Sequence, residues 1–329
     1  MMFKSPGVAL IAFLAFAAPT AAQDFPVTVE HVYGTTTIEA QPQRVVSVGL
    51  HEQDFLYALG VAPVGVKEWF GNKPYATWPW ADDERAALGA EPEIMSGDGI
   101  NFEWVLAQDP DLIVGIYWWL EQDDYDRLSA IAPVVASPAG YDVWAAPWQA
   151  ELAIIDQATS GTTERSDAII AEFDARYAQV RADYPELEGM TGTNIYYEDD
   201  GNFTAWGPND LASKFLVDLG LVFPPELEGL AAADNRITIS AENADLLEMD
   251  VVVWPVAEGS EVQSVIEALP TYQSLEIAKE GRSVWLDDGD GLAYAAMSWQ
   301  TPLSLGYLLD ILPAQLAAAA DGDPATEAE

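Results

Sequence analysis

With 54 acidic and 13 basic residues among 329, the chain carries a net charge of −41, and such a surface repels nucleic acid. It has no cysteine, which excludes disulfides, thiolate metal sites and a cysteine nucleophile. Half of its residues are hydrophobic, with 12 tryptophans and 13 tyrosines, so the acidity belongs to a solvated surface, and the length suits two domains of moderate size.

In chain order, the first residues read as a leader. Lys4 precedes an apolar run, Val8 to Ala18, and small residues follow to Ala22. This describes a secretory signal peptide over 1–22, cut after Ala22, which delivers the mature chain to the periplasm. Without a cysteine there is no lipid attachment point, which favours a free periplasmic protein over a tethered one. No later stretch reads as the roughly 18 apolar residues of a membrane span.

Alternating residues over 25–42 predict an edge hairpin turning at Tyr33-Gly34. Apolar runs predict buried strands at 45–49, 62–66, 112–116 and 134–136, with helices at 52–59 and 125–131 between them. The longest helical pattern covers 163–184, with Ile169, Ile170, Phe173, Tyr177 and Val180 on one face. Thr162 or Thr163 is its expected N-cap, and Pro185 ends it. Beyond it, strands at 193–197, 251–254 and 283–286 alternate with helices at 210–219, 242–247, 262–269 and 301–312. Such alternation predicts an α/β fold with mostly parallel sheets flanked by helices.

Two segments share one plan at a constant offset of 139 residues. Ile100, Glu103, Asp111 and the run Leu112-Ile113-Val114 match Ile239, Glu242, Asp250 and Val251-Val252-Val253. The chain therefore holds two similar halves. Each half presents one glutamate at a helix start, where negative charge is favoured in any case. The paired placement points to a shared role.

These features resemble one family. Pro42-Gln43-Arg44-Val45-Val46-Ser47-Val48, then Leu59-Gly60-Val61-Ala62-Pro63-Val64-Gly65-Val66, is similar to its opening. Phe102-Glu103 leading to Asp109-Pro110-Asp111-Leu112-Ile113-Val114 resembles its main motif. The family is the periplasmic substrate-binding proteins of ABC importers for iron–siderophore complexes, vitamin B12 and haem. The resemblance, over about 25–316, implies two α/β lobes joined by a single long α-helix, with ligand in the cleft between them. The implied divisions are an N-terminal lobe at 23–161, a connecting helix at 162–185, a C-terminal lobe at 186–316 and a disordered acidic tail at 317–329. It also implies that Glu103 and Glu242 dock onto arginines of a permease dimer, which works with its ATPase in the inner membrane. Two separated charge pairs orient such an encounter. The family's zinc and manganese branch uses several histidines; with only His31 and His51 here, that branch is disfavoured.

In open α/β sheets, ligand lies beyond the carboxyl ends of the strands. That rule selects His51, Trp69, Tyr117, Trp118, Trp119, Trp254, Tyr294 and Trp299 as ligand-contacting residues. Aromatic faces suit a large, partly apolar organic ligand. Trp104 and Trp285 read instead as core, and Asp287 to Gly291 as an exposed turn, since it lacks the distant glutamate of a calcium loop. Anionic tris-catecholates need arginines, and only Arg85, Arg236 and Arg282 fall near predicted loops. A neutral or weakly charged Fe(III)–siderophore fits better. Haem is the alternative, with Tyr117, Tyr294 or His51 as iron ligands; cobalamin is a further one. The expected molecule is a monomeric carrier without cofactor and without direct protein ligation of metal. A periplasmic hydrolase is the competing class, but there is no nucleophile elbow and no converging acid pair.

Overall fold

The computed structural model describes residues 25–326 except 142, 143, 199 and 233; the expected signal peptide lies outside them. Strands β1 (Val27–His31) and β2 (Gly34–Ile38) pair antiparallel as the edge hairpin, with Val27, Val29 and His31 turned inward. Five strands then form the first sheet: β3 (Val45–Ser47), β4 (Gly65–Lys67), β5 (Glu93–Met95), β6 (Leu112–Gly115) and β7 (Val134–Ala136). Their order is β5-β4-β3-β6-β7, all parallel.

The second sheet has the order β10-β9-β8-β11-β12. Its strands are β8 (Gly192–Tyr197), β9 (Phe203–Trp206), β10 (Arg236–Ile239), β11 (Val251–Pro255) and β12 (Ser283–Leu286). Here β8, β11 and β12 are parallel, whereas β9 runs antiparallel to both β8 and β10. The loop from β8 to β9 is too short for a parallel crossover, so the chain must turn back as a hairpin. Sequence patterning gave no sign of β9 or β10.

The two sheets match in plan, and the repeated aspartates do the same work in each. Asp111 accepts from the backbone N–H groups of Gln43 and Arg44 (2.8 Å each), just before β3. Asp250 accepts from the N–H (2.7 Å) and hydroxyl (2.8 Å) of Thr191, just before β8. Each acid pins the start of the central strand to the start of its neighbour.

The connecting helix is Glu164–Asp183, 20 residues, roughly 30 Å at 1.5 Å per residue. Its N-terminus is not capped by Thr163, whose hydroxyl turns to Asp167. Asp156, fully buried in the preceding helix Trp148–Ser160, accepts instead from the Ser166 N–H (2.8 Å) and from Arg165 Nε (2.7 Å). That preceding helix has no sharp polar face, which is why periodicity did not reveal it. Tyr177 of the connecting helix packs on Phe173 and on Phe215 of the second lobe.

The terminal helix, Pro302–Ala320, differs from expectation in two ways. It runs through Pro313 rather than stopping before it, and it takes in residues 317–320 of the expected tail. An interior proline forfeits one backbone hydrogen bond. Burial of Leu316, Ala319 and Ala320 beyond it offsets that loss. By length and composition this helix could cross a membrane, but half of it is buried, with Leu305, Leu308 and Leu312 deep in the core. It is a second bridge between the lobes, because its start packs against the helix Glu52–Ala58 of the first lobe.

Candidate functional site

In the first lobe the chain leaves β3 for β4 and β5 on one side, then returns to β6 and β7 on the other. The crevice beyond the carboxyl ends of β3 and β6 is thus a topological switch point, where α/β proteins hold ligand. Glu52 stitches this point together. Its fully buried carboxylate accepts from the N–H groups of Ile116 (2.6 Å), Tyr117 (2.8 Å) and His51 (3.2 Å). Gly49 is required there, since a Cβ would come within 1.8 Å of a Glu52 carboxylate oxygen. The Tyr117 backbone is set by this contact.

Between the lobes lies a cavity of about 700 Å³. The first lobe contributes Tyr117 and Trp144; the second contributes Tyr196, Tyr197, Trp206, Tyr294 and Met297. Among the described residues, its acidic lining is Glu198, Asp210 and Asp234, and no lysine or arginine lines it. Arg236, adjacent in sequence, is paired to Glu198 at 3.0 Å. Asp210 caps the helix Leu211–Asp218 through the Ala212 N–H, and burial pushes its carboxyl above the usual range. Burial also raises the Tyr117 and Tyr294 hydroxyls. Trp144 reaches the cavity from a backbone with φ of +66°, a conformation that bulky residues rarely adopt.

The eight aromatic and histidine candidates separate into three groups. Tyr117 and Tyr294 line the cavity. Trp118 and Trp119 line instead a smaller hollow of about 180 Å³ on the first lobe. Lys67, which donates to the Gly97 and Gly99 carbonyls, lies 4.5 Å from the Trp118 ring centroid. The rest are structural. Trp254 is buried in the core of the second lobe, with Nε1 bonded to Ser283. Trp69 is buried against Trp78, Trp80 and Trp299, while Trp299 stacks on Phe70 at 4.6 Å. Those aromatic contacts join the two lobes.

His51 is also withdrawn from the cleft, 1% exposed. Its Nε2 lies 3.2 Å from Glu151 and its Nδ1 3.3 Å from the Trp299 carbonyl. Burial pulls the imidazole down, but Glu151 and Glu52 outweigh it and leave its pKa raised. A ring so engaged is an interior partner, not an iron ligand. Arg85 and Arg282 are likewise committed, to Asp82 and Glu280. Asp288, in the acidic turn, caps the helix Leu292–Ser298 and accepts from Tyr307.

Sequence reading missed Trp144, Tyr196, Trp206 and Asp210. Tyr196 falls within the predicted strand 193–197, one step from its end. Trp206 closes a strand that was not foreseen. The docking candidates sit at equivalent places. Glu103 is the second residue of the helix Phe102–Ala107 and Glu242 the second of the 3₁₀ segment Ala241–Leu247, and both are exposed.

Two α/β lobes facing each other across an aromatic cleft, with strand ends of both sheets at its walls, define a solute-binding protein. The chain belongs to the periplasmic binding protein family, whose profile matches residues 45–288. It is a family of binding proteins, not enzymes. The chain is similar to a periplasmic solute-binding protein of Mycobacterium smegmatis, at 33% identity and a TM-score of 0.78, over 89% of this chain and 98% of that one. It is also similar to PiaA of Streptococcus pneumoniae in complex with ferrichrome, at 26% identity and a TM-score of 0.74, over 90% and 99%. Among relatives by sequence, the probable siderophore-binding lipoprotein YfiY of Bacillus subtilis is 31% identical over 52% of this chain and 53% of its own length. The ferric-anguibactin-binding protein FatB of Vibrio anguillarum is 26% identical over 80% of each chain.

Proposed function

We propose that the protein captures a ferric siderophore in the cleft between its lobes and delivers it, as a monomer, to an ABC permease dimer with its ATPase. The observation that carries this reading is the 700 Å³ cavity walled by aromatics from both lobes. A cavity of that size buries most of a chelate, and flat rings give contact area at low entropy cost. Relatives described as a probable siderophore-binding lipoprotein and as a ferric-anguibactin-binding protein support the same class. The lining favours a neutral or cationic complex, such as a ferric hydroxamate, over an anionic one. Asp210 and Asp234 line the cavity, and among the described residues no basic side chain lines it to oppose them. Iron is then cargo wrapped by its chelator, and the protein supplies no resident cofactor.

Glu103 and Glu242 are the proposed permease contacts, one per lobe. The proposed signal peptide, cut after Ala22, and the boundaries 23–161, 162–185 and 186 onward complete the reading, with the terminal helix extending the last unit to residue 320. Haem and cobalamin are the alternative ligands. Native mass spectrometry on protein taken from its own periplasm tests the class directly. A retained mass of a ferric chelate is expected; a haem or cobalamin mass overturns the siderophore assignment.

A further inference from the structure

The hollow of about 180 Å³ on the first lobe has no part in the cavity reading, yet its walls are exceptional for this molecule. It is bordered by Val32, Tyr33, Trp118, Trp119, Tyr141 and Trp144. Four of these, Val32, Trp119, Tyr141 and Trp144, are among the few large apolar side chains left exposed in the described residues, at 47%, 64%, 44% and 37%. Apolar exposure scattered singly is ordinary, but gathered around one concavity it marks a binding surface. The hydroxyl of Tyr33 is already spent on the Leu120 carbonyl, so this wall asks for an apolar guest. An apolar cavity of about 150 Å³ takes a benzene ring, which sets the size of that guest at one aryl group or a short acyl chain.

The hollow also adjoins the cleft. Trp144 lines both, standing edge-on to the cleft residue Tyr117 at 4.5 Å between ring centroids. Both open at the carboxyl ends of β6 and β7, where Ile116 and Ser137 border the hollow and Tyr117 borders the cleft. We infer that the hollow is a subsite for an apolar arm of the chelate whose iron-bearing core occupies the cleft, so that the substrate class is a siderophore with an aryl or short acyl appendage. This rests on the cleft being the ligand site.

The test compares ferric desferrioxamine B acylated on its terminal amine with either acetyl or benzoyl. Affinities are read from tryptophan fluorescence in the full protein and in two variants. Tyr141→Ala strips an exposed wall, and Ser137→Phe fills the hollow. The wild type should prefer the benzoyl chelate by about ten- to a hundredfold, the gain from burying one ring. Both variants should lose that preference and keep the acetyl affinity. Equal affinities in the wild type, or a preference that survives both substitutions, overturn the subsite. If neither chelate binds, the trihydroxamate reading of the cleft is what fails, and the hollow is then judged by fluorine NMR with 4-fluorobenzyl alcohol. Saturable binding lost in both variants upholds an aryl subsite; no binding overturns it. Transport that falls in both variants while the benzoyl preference stays intact gives the hollow to the permease and also overturns the proposal.

Discussion

Asp54 accepts a hydrogen bond from the Thr301 hydroxyl at 2.8 Å, across 247 residues of chain. The same carboxylate oxygen takes the Trp80 indole N–H at 2.7 Å. Thr301 in turn forms a reciprocal capping pair with Ser304 at the start of the terminal helix. One buried acid thus ties the first lobe to the helix that bridges both.

That acid makes stability depend on pH. Burial outweighs its two hydrogen bonds and raises the Asp54 carboxyl from 3.8 to about 6. A raised carboxyl favours the folded state below its unfolded pKa and loses that contribution as pH rises through the folded value. The loss therefore falls between about pH 4 and 6, and amounts to about 2–3 kcal/mol at most. Urea denaturation of the wild type and Asp54→Asn across this range should show a steeper downward slope in the wild type than in the variant. Parallel slopes would remove Asp54 as the source.

His51 and Glu151 form a second buried pair. Removing one member leaves the other charge without a partner, at a cost of about 3–5 kcal/mol. His51→Ala and Glu151→Ala should each lower stability by that order, and the double variant by less than the sum. A histidine that served as an iron ligand would behave differently. His51→Ala would then abolish a haem Soret band while barely changing the denaturation midpoint.

The exposed glutamates invite the opposite result. Glu103→Ala and Glu242→Ala should each change stability by no more than about 0.5 kcal/mol and leave ligand affinity unaltered. Transport through the cognate permease should fall with each and fall further in the double variant. An interface charge that loses its partner costs about 2–5 kcal/mol, so reversal to lysine should be worse than alanine. Normal transport by a double variant that still binds ligand would reduce the two residues to helix-start preferences.

The acidic cleft predicts charge selectivity. Replacing Asp234, exposed at the cavity edge, with lysine should weaken a cationic ferric hydroxamate and strengthen an anionic ferric citrate. An exposed charge acts through water, so each change should be modest, about 0–1 kcal/mol or up to fivefold in Kd. Isothermal titration with both chelates measures it, and no change in the ratio of the two affinities would refute a role for cleft charge.

Much of the architecture was legible in the chain alone. Apolar runs located β3, β6, β7 and β11, because strands buried on both faces must be continuously hydrophobic. The 139-residue repeat placed Glu103 opposite Glu242 and Asp111 opposite Asp250, and Asp111 and Asp250 anchor strands in the same way. What periodicity could not give was β9 and β10, whose short runs carry little pattern, or the helix Trp148–Ser160, buried too evenly to show a polar face. Nor could it foresee a helix running through Pro313, where burial overrides local preference.

The cleft residues divide along the same line. Sequence determined that aromatics would gather at strand ends, since strand positions and residue types are local facts. Only the tertiary structure decided which way each ring turns. Tyr117 faces the cavity because Glu52 fixes its backbone, while Trp118 and Trp119 turn to the neighbouring hollow. His51 and Trp69 are sealed inside because Glu151 and Trp299 arrive from elements 100 and 230 residues further along. Such contacts depend on how the lobes and bridging helices pack, and no local pattern encodes that packing.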